Sequence, residues 1–417
     1  MALVRRKDNK NRVLKEGESQ RANGTYEYKW RDRRGKRHGI YAKTLQELRV
    51  KEDEVRVDLL LGVRTAKQSM TINTLYIVWK RLKRGLKDNT FQNYCWLYEN
   101  YIKPDFGLTR VTDLKKTDVR LFYNDLVDKK NLQINTVEGV HTVLHQVLDL
   151  AVEDEYLRRN PAGGALTELK KEHSKDIQKR RALTLQEQEL LEDYLQRSPT
   201  HRRWRPIFTV MLWTGMRVGE VTGLRWEDID LEKGLISVNH TMVCYTRREK
   251  DISRSTLAIN TPKTQAGKRT IPMLPVVKQA FLEEKEYQKK ERIPGGFQVD
   301  GYTGFVFLNR FGHAYTLGSL NNALNRITRE CNKDILERAK RDNIKDVKVL
   351  PHFTNHTLRH TFTTRMCEAG VNIKAMQDIL GHADIETTMN IYADATSDLK
   401  RREMDSFEKF FASMQTT

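Results

Sequence analysis

The stretch from residue 71 to about residue 165 most constrains the fold, because its apolar residues recur at helical spacing throughout. In TINTLYIVWKRLKRGL, for example, Leu75 and Leu82 fall on one helical face. Segments containing NTFQNYCW, KTDVRLF and INTVEGVH complete four predicted helices, the second with Asn89 as its N-cap. The run RRNPAGG then ends the block with Asn-Pro and two glycines. The pattern predicts an all-α domain over residues 70–168.

A different period marks the first segment, residues 1–65. In GTYEYKWRDRRGKRHGIYAKT, aromatic and charged residues alternate up to a turn that contains glycine, and IYAKT predicts a second strand. TLQELRVKEDEVRVDLLLG then shows helical spacing, with Gly62 as its stop. The sequence therefore predicts a small basic β-sheet with one helix as the N-terminal domain.

The charge of this segment favours contact with DNA. Residues 1–50 contain fifteen Lys or Arg against six Asp or Glu, and five cations fall within seven residues of the turn. A solvated hairpin is the alternative, but cations concentrated beside aromatic strands are more typical of a nucleic-acid footprint. The predicted DNA-contacting residues are Tyr28, Trp30, Arg31, Arg33, Arg34, Lys36 and Arg37.

Residues 180–417 form the third predicted domain, which is mixed but mainly α with a small antiparallel sheet. TLQEQELLEDYLQ begins a helix with a capping-box pair, Thr184 and Glu187. LAINTPKTQAGKRTIPM predicts a hairpin whose turn holds KTQAGKR. Glycine breaks at Gly370 and Gly381 separate the last helices. A multidomain chain agrees with a length of 417 residues, which is too long for one ordinary core.

Composition narrows the class of partner. The chain carries 74 Lys or Arg and 55 Asp or Glu, a formal charge of +19, which favours nucleic acid or an anionic membrane surface. No apolar run approaches the ~20 residues that a membrane span needs, and the first ten residues show no secretory signal. The four cysteines form no C-x-x-C pair, so we expect no disulfide framework, no cysteine zinc site and a reducing cytoplasm.

The polar run HTLRHTFTTRM, residues 356–366, is a candidate site. His356 and His360 lie four apart, as two metal ligands on a helix would. However, Arg359 lies between them where metalloprotease helices carry a glutamate base, and its charge would repel a divalent cation. His356 and Arg359 share one helix face, and a guanidinium matches phosphate oxygens with its fork of donors. The run favours an anion site over a metal site.

Two further cations are candidates on weaker grounds. Arg217 lies at a helix junction in apolar sequence, where a cation needs an anionic partner. A salt bridge to Glu220, three residues on, explains it equally well. Lys263 lies in the predicted hairpin, where a lysine often only keeps a strand edge soluble. Neither residue identifies a site by itself.

Four segments, in this order, resemble the tyrosine recombinases, the phage integrase family. They are TGMRVGEVTGLRWEDID, TPKTQAGKRTIPM, HTLRHTFTTRM and LGHADIETTMNIYA, which lie between about residues 180 and 400. The resemblance implies the family's catalytic set at matching positions: Arg217, Lys263, His356, Arg359, His382 and the nucleophile Tyr392. His360 follows the motif arginine and is expected to support the helix rather than to catalyse.

The other two segments also resemble parts of this family. The helical block is similar to its core-binding domain, and the basic sheet to the arm-binding domain of integrases from phages and conjugative transposons. RRKDNKNRVLKEGESQRANGTYEYKW is most similar to the conjugative-transposon subgroup. The resemblance implies a bacterial, cytoplasmic enzyme without a cofactor or metal.

The implied reaction is phosphoryl transfer from DNA to Tyr392. Charge that builds on the non-bridging phosphate oxygens would be met by Arg217 and Arg359 instead of a metal. A phenol with a pKa of about 10 needs its proton removed, or its anion stabilised, before it attacks. A covalent 3′-phosphotyrosine conserves the bond energy, so that the strand can be rejoined to another 5′-hydroxyl without ATP.

The remaining residues of the set would handle protons. His356 is the expected proton acceptor, and His382 is expected to donate a hydrogen bond in the transition state. Lys263 would protonate the departing 5′-oxygen once the cationic site lowers its pKa. Which histidine is the base in each step stays open.

The resemblance predicts a site-specific recombinase that integrates and excises a mobile element through a Holliday junction. Its expected partners are double-stranded DNA at core and arm sites, three further copies in a homotetramer, and DNA-bending or excision proteins, with no membrane. An amphipathic tail with Phe407, Phe410 and Phe411 either folds onto its own domain or docks on a neighbouring protomer.

Two alternatives stay open. A type IB topoisomerase would relax supercoils by the same chemistry, but the separate N-terminal sheet suggests recognition of a second DNA site and disfavours it. A catalytically silent DNA-binding regulator on the same scaffold is disfavoured by six intact catalytic positions.

Overall fold

The structure is a computed structural model, and the chain forms two compact units, residues 1–178 and 179–417. The residues that it describes are 6–31, 37–62, 70–154, 156–173, 181–249, 252–262 and 267–381, together with 389, 404, 407 and 408. The predicted boundary between an N-terminal and a core-binding domain falls at residues 63–69, outside this set. That division stays a prediction.

The first unit begins with a three-stranded antiparallel sheet and one helix: β1 (Glu18–Gln20), β2 (Tyr26–Arg31), β3 (Arg37–Ala42) and α1 (Leu45–Gly62). The predicted strand β2 is confirmed, and Tyr26 and Tyr28 are buried on one face against Leu48 of α1. Glu27 on the opposite face is buried as well, where it pairs with Lys29. The helix ends at Gly62, as predicted. The short edge strand β1 was not predicted from the sequence.

The rest of the first unit is helical: α2 (Ile72–Leu82), α3 (Asp88–Leu97), α4 (Lys103–Phe106), α5 (Lys116–Asp128), α6 (Ile134–Glu153) and a further short helix, α7 (Thr167–His173), which was not among the four predicted. A π-helical turn, Tyr98–Ile102, joins α3 to α4, so the four predicted helices are present. The prediction of Asn89 as an N-cap was wrong, because Lys87 is the cap residue and Asp88 occupies the first turn. An acidic residue there suits the positive end of the helix dipole.

The second unit is mainly α with small antiparallel sheets, which confirms the predicted class. Its helices are α8 (Leu185–Arg197), α9 (Arg205–Thr214), α10 (Val218–Gly223), α11 (Pro275–Lys290), α12 (Leu317–Arg341), α13 (Asn355–Glu368) and α14 (Ile373–Leu380). Its strands are β4 (Ile229–Asp230), β5 (Leu235–Val238), β6 (Thr241–Glu249), β7 (Ile252–Asn260) and β8 (Arg269–Pro272). The capping box at α8 is confirmed, since the Thr184 amide donates to Glu187 Oε2 at 2.8 Å and the Glu187 amide donates to Thr184 Oγ1 at 3.2 Å.

The predicted hairpin LAINTPKTQAGKRTIPM was wrong. Its first strand, β7, pairs with β6 in a separate two-stranded ribbon, whereas its second strand, β8, pairs with β5 in the sheet β4-β5-β8. Lys263 falls within residues 263–266, outside the described set. A strand period identifies strands but not their partners, and the long β6–β7 ribbon separates β5 from β8 in sequence.

Helix α9 lies at the centre of the second unit, where Phe208, Met211 and their neighbours are almost fully buried. Both α11 and α13 pack against it. The tight glycine turn after α9, with Gly215 at φ 63°, lies directly against Phe362 of α13. Among the described residues, no helix is long and apolar enough to cross a membrane.

Candidate functional site

Helix α13 presents the polar run that the sequence singled out. It begins at Asn355, so His356 lies in its first turn and Arg359 one turn further along. His356 is exposed at the surface, whereas Arg359 is only 6% exposed. The predicted spacing thus places an accessible imidazole above a buried guanidinium.

Among the described residues, backbone carbonyls hold the Arg359 guanidinium, and no carboxylate pairs with it. Its Nη1 donates to the Gly215 oxygen at 2.6 Å, and its Nη2 donates to the Leu380 oxygen at 2.8 Å. Burial, reinforced by the nearby charge of Arg217, lowers the pKa of Arg359 to about 9, although Glu220 acts in the opposite direction. The guanidinium therefore stays a cation at neutral pH. A bound anion would stabilise this buried charge.

Arg217 comes from a different part of the chain and lies near Arg359, at the end of α14. It is the N-cap residue of α10, and its side chain is 45% exposed. Its Nη1 donates to Glu220 Oε1 at 3.0 Å, so the salt bridge weighed from the sequence is present. Its Nη2 donates to the Gly381 oxygen at 3.0 Å, directly beside the Leu380 carbonyl that Arg359 uses. In the part of the chain that the structure describes, Glu220 is thus the one carboxylate that pairs with either of these two arginines.

One residue of this cluster was missed by the sequence analysis. Arg269 of β8 donates from Nη1 to Glu220 Oε1 at 3.0 Å and from Nη2 to Glu220 Oε2 at 2.7 Å. Burial would raise the pKa of Glu220, but hydrogen bonds and charge from Arg269, with the charge of Arg217, outweigh it and lower that pKa. The sequence did contain an indication of this residue. Side chains alternate along a strand, so Arg269 lies on the same face of β8 as the buried Ile271, two residues further on.

The other two basic residues of the run, His360 and Arg365, contact side chains of their own helix. His360 lies 3.4 Å from the Thr364 hydroxyl through its Nδ1, and the second arginine of the run, Arg365, pairs with Glu368. Across the described ranges, no group of three or more His, Cys, Asp or Glu is suited to hold a metal ion. The predicted residues Lys263, His382 and Tyr392 lie outside those ranges.

The N-terminal sheet has one covered and one open face. Helix α1 covers the face with Tyr28, which is 8% exposed, while Trp30 is half-buried and stacks on Tyr28 and His38. The ring of Tyr28 packs in the core of this sheet, and its predicted DNA contact stays a prediction. Arg33, Arg34 and Lys36 of the predicted contact set are outside the described residues.

The open face carries the exposed cations. Arg31 pairs directly with Arg37 across β2 and β3, and both side chains are exposed. Like charges directly opposite each other destabilise a sheet, and an anion between them would relieve the repulsion. Next along the face, Lys29 stands opposite Gly39, which has no side chain to block a close approach. Lys29 also pairs with Glu27 of the same face at 3.0 Å, so Arg31 and Arg37 are the cations of this face that most need an anion.

Three family models match the chain in the order of its modules. Residues 3–59 match the DNA binding domain of Tn916 integrase, residues 71–127 the N-terminal SAM-like domain of phage integrases, and residues 181–398 the phage integrase family. The last match alone covers more than half of the 417 residues.

Individual relatives agree with these matches. The transposase from transposon Tn916 of Enterococcus faecalis is 29% identical over 418 residues, 97% of each chain, and so is the Tn1545 transposase of Streptococcus pneumoniae. The Tn1549 transposon integrase, solved with a circular intermediate DNA, superposes with a TM-score of 0.69 at 29% identity, over 81% of this chain and all of that one. The same integrase has also been solved with transposon right end DNA.

Proposed function

Because its family match spans residues 181–398, the chain belongs to the phage integrase family of tyrosine recombinases, and we propose that it integrates and excises a mobile DNA element. The relatives from Tn916 and Tn1545 are transposases of mobile elements and match over 97% of this chain. The Tn1549 neighbour was solved on the DNA of a circular intermediate, which is the kind of substrate that we propose here.

One observation of the structure carries the chemical part of the proposal. Arg217 and Arg359 come from distant segments, yet they donate to neighbouring carbonyls, Gly381 and Leu380. Those carbonyls immediately precede His382 in the sequence. Within the described part of the chain, each guanidinium uses two of its five N–H groups on protein atoms. The remaining donors suit the two non-bridging oxygens of a phosphodiester.

The proposed first step is an in-line displacement. The Tyr392 phenolate oxygen attacks the scissile phosphorus, a P–O bond to Tyr392 forms, and the bond to the 5′-oxygen breaks. Arg217 and Arg359 neutralise charge on the equatorial oxygens, which is the contribution expected of fixed cations in phosphoryl transfer. The product is a 3′-phosphotyrosine and a free 5′-hydroxyl.

The proton movements complete the step. His356 accepts the phenol proton, and Lys263 gives a proton to the departing 5′-oxygen. In the second step another 5′-hydroxyl gives its proton to Lys263 and attacks the phosphorus, the P–O bond to Tyr392 breaks, and His356 returns the proton to the leaving Tyr392 oxygen. His382 donates a hydrogen bond to the phosphate in both transition states. Because one phosphoester is exchanged for another, no ATP is required.

We place arm-site binding on the open face of the N-terminal sheet. Arg31, Arg37 and Lys29 would contact phosphates there, while the covered face keeps Trp30 and Tyr28 against α1. The family match of residues 3–59 to a DNA binding domain supports this placement. Phosphate contacts of this kind fix the register of a protein on DNA.

Replacing Arg31 and Arg37 together by Gln should weaken arm-site binding and flatten its salt dependence. Each lost phosphate contact reduces the slope of log K against log salt by about 0.9, so the double variant should lose about 2. The measurement is a salt titration of the full chain on a duplex from the end of its element. Lys51→Gln is the control, because it removes one positive charge from α1, the helix that covers the opposite face of the sheet. An unchanged slope in the double variant would place the DNA elsewhere.

We further propose that the chain acts as a homotetramer on two duplexes, with DNA-bending or excision proteins as accessory partners. Two duplexes cut at two sites each require four nucleophiles, one from each protomer. The tail with Phe407 would join neighbouring protomers; its Phe410 and Phe411 lie outside the described residues. The curated relatives come from bacteria, so we place the reaction in the bacterial cytoplasm, where the element's DNA is.

Strand exchange between two duplexes tests the proposed function. The full chain is incubated with two duplexes of different length that carry attachment sites mapped from the junctions of the excised element. We expect recombinant lengths to appear without ATP, and to appear equally in EDTA because arginines supply the charge. A topoisomerase would relax a supercoiled plasmid but yield no recombinant lengths. Strict metal dependence would count against the arginine site.

A further inference from the structure

Three guanidinium groups converge on the end of one helix. The carbonyls of the last turn of α14 have no partners within the helix, which ends at Gly381 with φ 65°. Arg269 Nε donates to the Ile379 oxygen at 2.6 Å, next to the carbonyls of Leu380 and Gly381 that accept from the two phosphate-binding arginines. Three consecutive carbonyls therefore each accept from a different arginine. The partial negative charge at a helix C-terminus suits this arrangement.

Arg269 is far less exposed than Arg217 and resembles the buried Arg359. Its side chain is 5% exposed, whereas that of Arg217 is 45% exposed. Both of its Nη atoms bond to Glu220, and its Nε bonds to the end of α14. All three of its nitrogen atoms are thus engaged by protein, so it has no side turned toward a ligand.

Glu220 connects Arg269 to the exposed arginine. Its carboxylate accepts from the Arg217 amide at 2.8 Å and from Arg217 Nη1 at 3.0 Å, in addition to both bonds from Arg269. Arg269 therefore binds two groups that position the other arginines. One is the carboxylate that orients Arg217, and the other is the helix end whose Leu380 carbonyl orients Arg359.

We propose that Arg269 is a positioning residue for the strand-cleavage reaction. It fixes Glu220 and the end of α14, and thereby sets where Arg217 and Arg359 present their remaining N–H groups to the scissile phosphate. This inference rests on the proposed function. A guanidinium fills this role most completely, because its planar fork gives two parallel bonds to a carboxylate together with a third bond to a carbonyl, whereas a lysine retains only the charge and part of these bonds.

Loss of Arg269 should slow cleavage more than it weakens DNA binding. Without it, Glu220 has Arg217 as its partner and draws that guanidinium away from the phosphate, and the end of α14 loses one anchor. A misplacement of about 1 Å in a catalytic group costs about 10²-fold in rate. For Arg269→Gln we expect adduct formation to fall about 10- to 100-fold, with DNA affinity changed by less than about threefold.

The experiment compares two substrates with the full chain. A nicked duplex traps the covalent adduct, and a second duplex carries a methylphosphonate at the scissile position, which lacks the charged oxygen that the arginines neutralise. Arg269→Gln and Arg269→Lys are measured on both, along with thermal unfolding of each variant. If Arg269 acts through the phosphate-binding arginines, the loss seen on the phosphodiester shrinks on the methylphosphonate, and Arg269→Lys recovers part of the rate.

A control and the contrary outcomes complete the test. Arg205→Lys alters a half-buried pair with Glu283 in the same unit and should cleave like the wild type. Equal losses on both substrates, or a wild-type rate for Arg269→Gln, would overturn the inference. If Arg269→Gln does not fold, the rates of Arg269→Lys on the phosphodiester and on the methylphosphonate are compared by the same criterion. Failure of the wild type to form any adduct would instead overturn the proposed function, and this inference with it.

Discussion

Tyr392→Phe should abolish the covalent protein–DNA adduct while leaving DNA binding intact. The substitution removes one oxygen atom, which is the atom proposed to attack the phosphorus, and retains the ring. Loss of a nucleophile that acts in concert with other groups lowers the rate by more than about 10³-fold. The measurement is a denaturing gel of the full chain on a nicked duplex, with binding measured in parallel by gel shift.

A matched tyrosine controls for the loss of a hydroxyl. Tyr287→Phe makes the same chemical change in the same unit, where the ring lies beneath the Arg203 guanidinium and can keep that contact. We expect it to form adduct at the wild-type rate. An adduct that persists in Tyr392→Phe would show that another residue is the nucleophile. A wild type that binds its attachment sites but never forms an adduct would favour the silent regulator.

The parts of the fold that local chemistry determines were predictable. The capping box of α8 requires only a hydroxyl and a carboxylate three residues apart, and the structure contains both of its bonds. The aromatic alternation of β2 likewise predicted a strand with one covered face. Alternation cannot say which face is covered by a neighbour. The sequence therefore did not show that the ring of Tyr28, a predicted DNA contact, packs in the core with α1.

Features that depend on long-range partners were not predictable. Strand β8 follows β7 in the chain, yet it pairs with β5, so the hairpin prediction failed. The strand period could have identified Arg269 as inward-facing, but not its partners Glu220 and Ile379, which are 49 and 110 residues away. Arg217 and Arg359, by contrast, were located from motif spacing and a family resemblance. Only the structure shows that both arginines donate to carbonyls at the end of α14.

Arg359→Ala should lower the rate of adduct formation about 10²- to 10³-fold, which is the usual effect of removing one preorganised donor from a developing oxyanion. DNA affinity should change little, because a core site is held by many phosphate contacts. The truncation also leaves the Gly215 and Leu380 carbonyls without their donor, at a cost of about 1–3 kcal/mol for each buried group. Thermal unfolding should therefore be measured with the rate.

Substrate charge separates the two effects of this substitution. A methylphosphonate at the scissile position lacks the charged oxygen that the cation stabilises. On such a duplex the loss of cleavage rate in Arg359→Ala should shrink, while the thermal destabilisation persists. Arg365→Lys on the same helix is the control, because Arg365 pairs with Glu368 and donates to the Leu183 carbonyl. It should cleave like the wild type. An Arg359→Ala variant with equal losses on both substrates would mean that Arg359 supports the fold alone, and the anion site would then rest on Arg217.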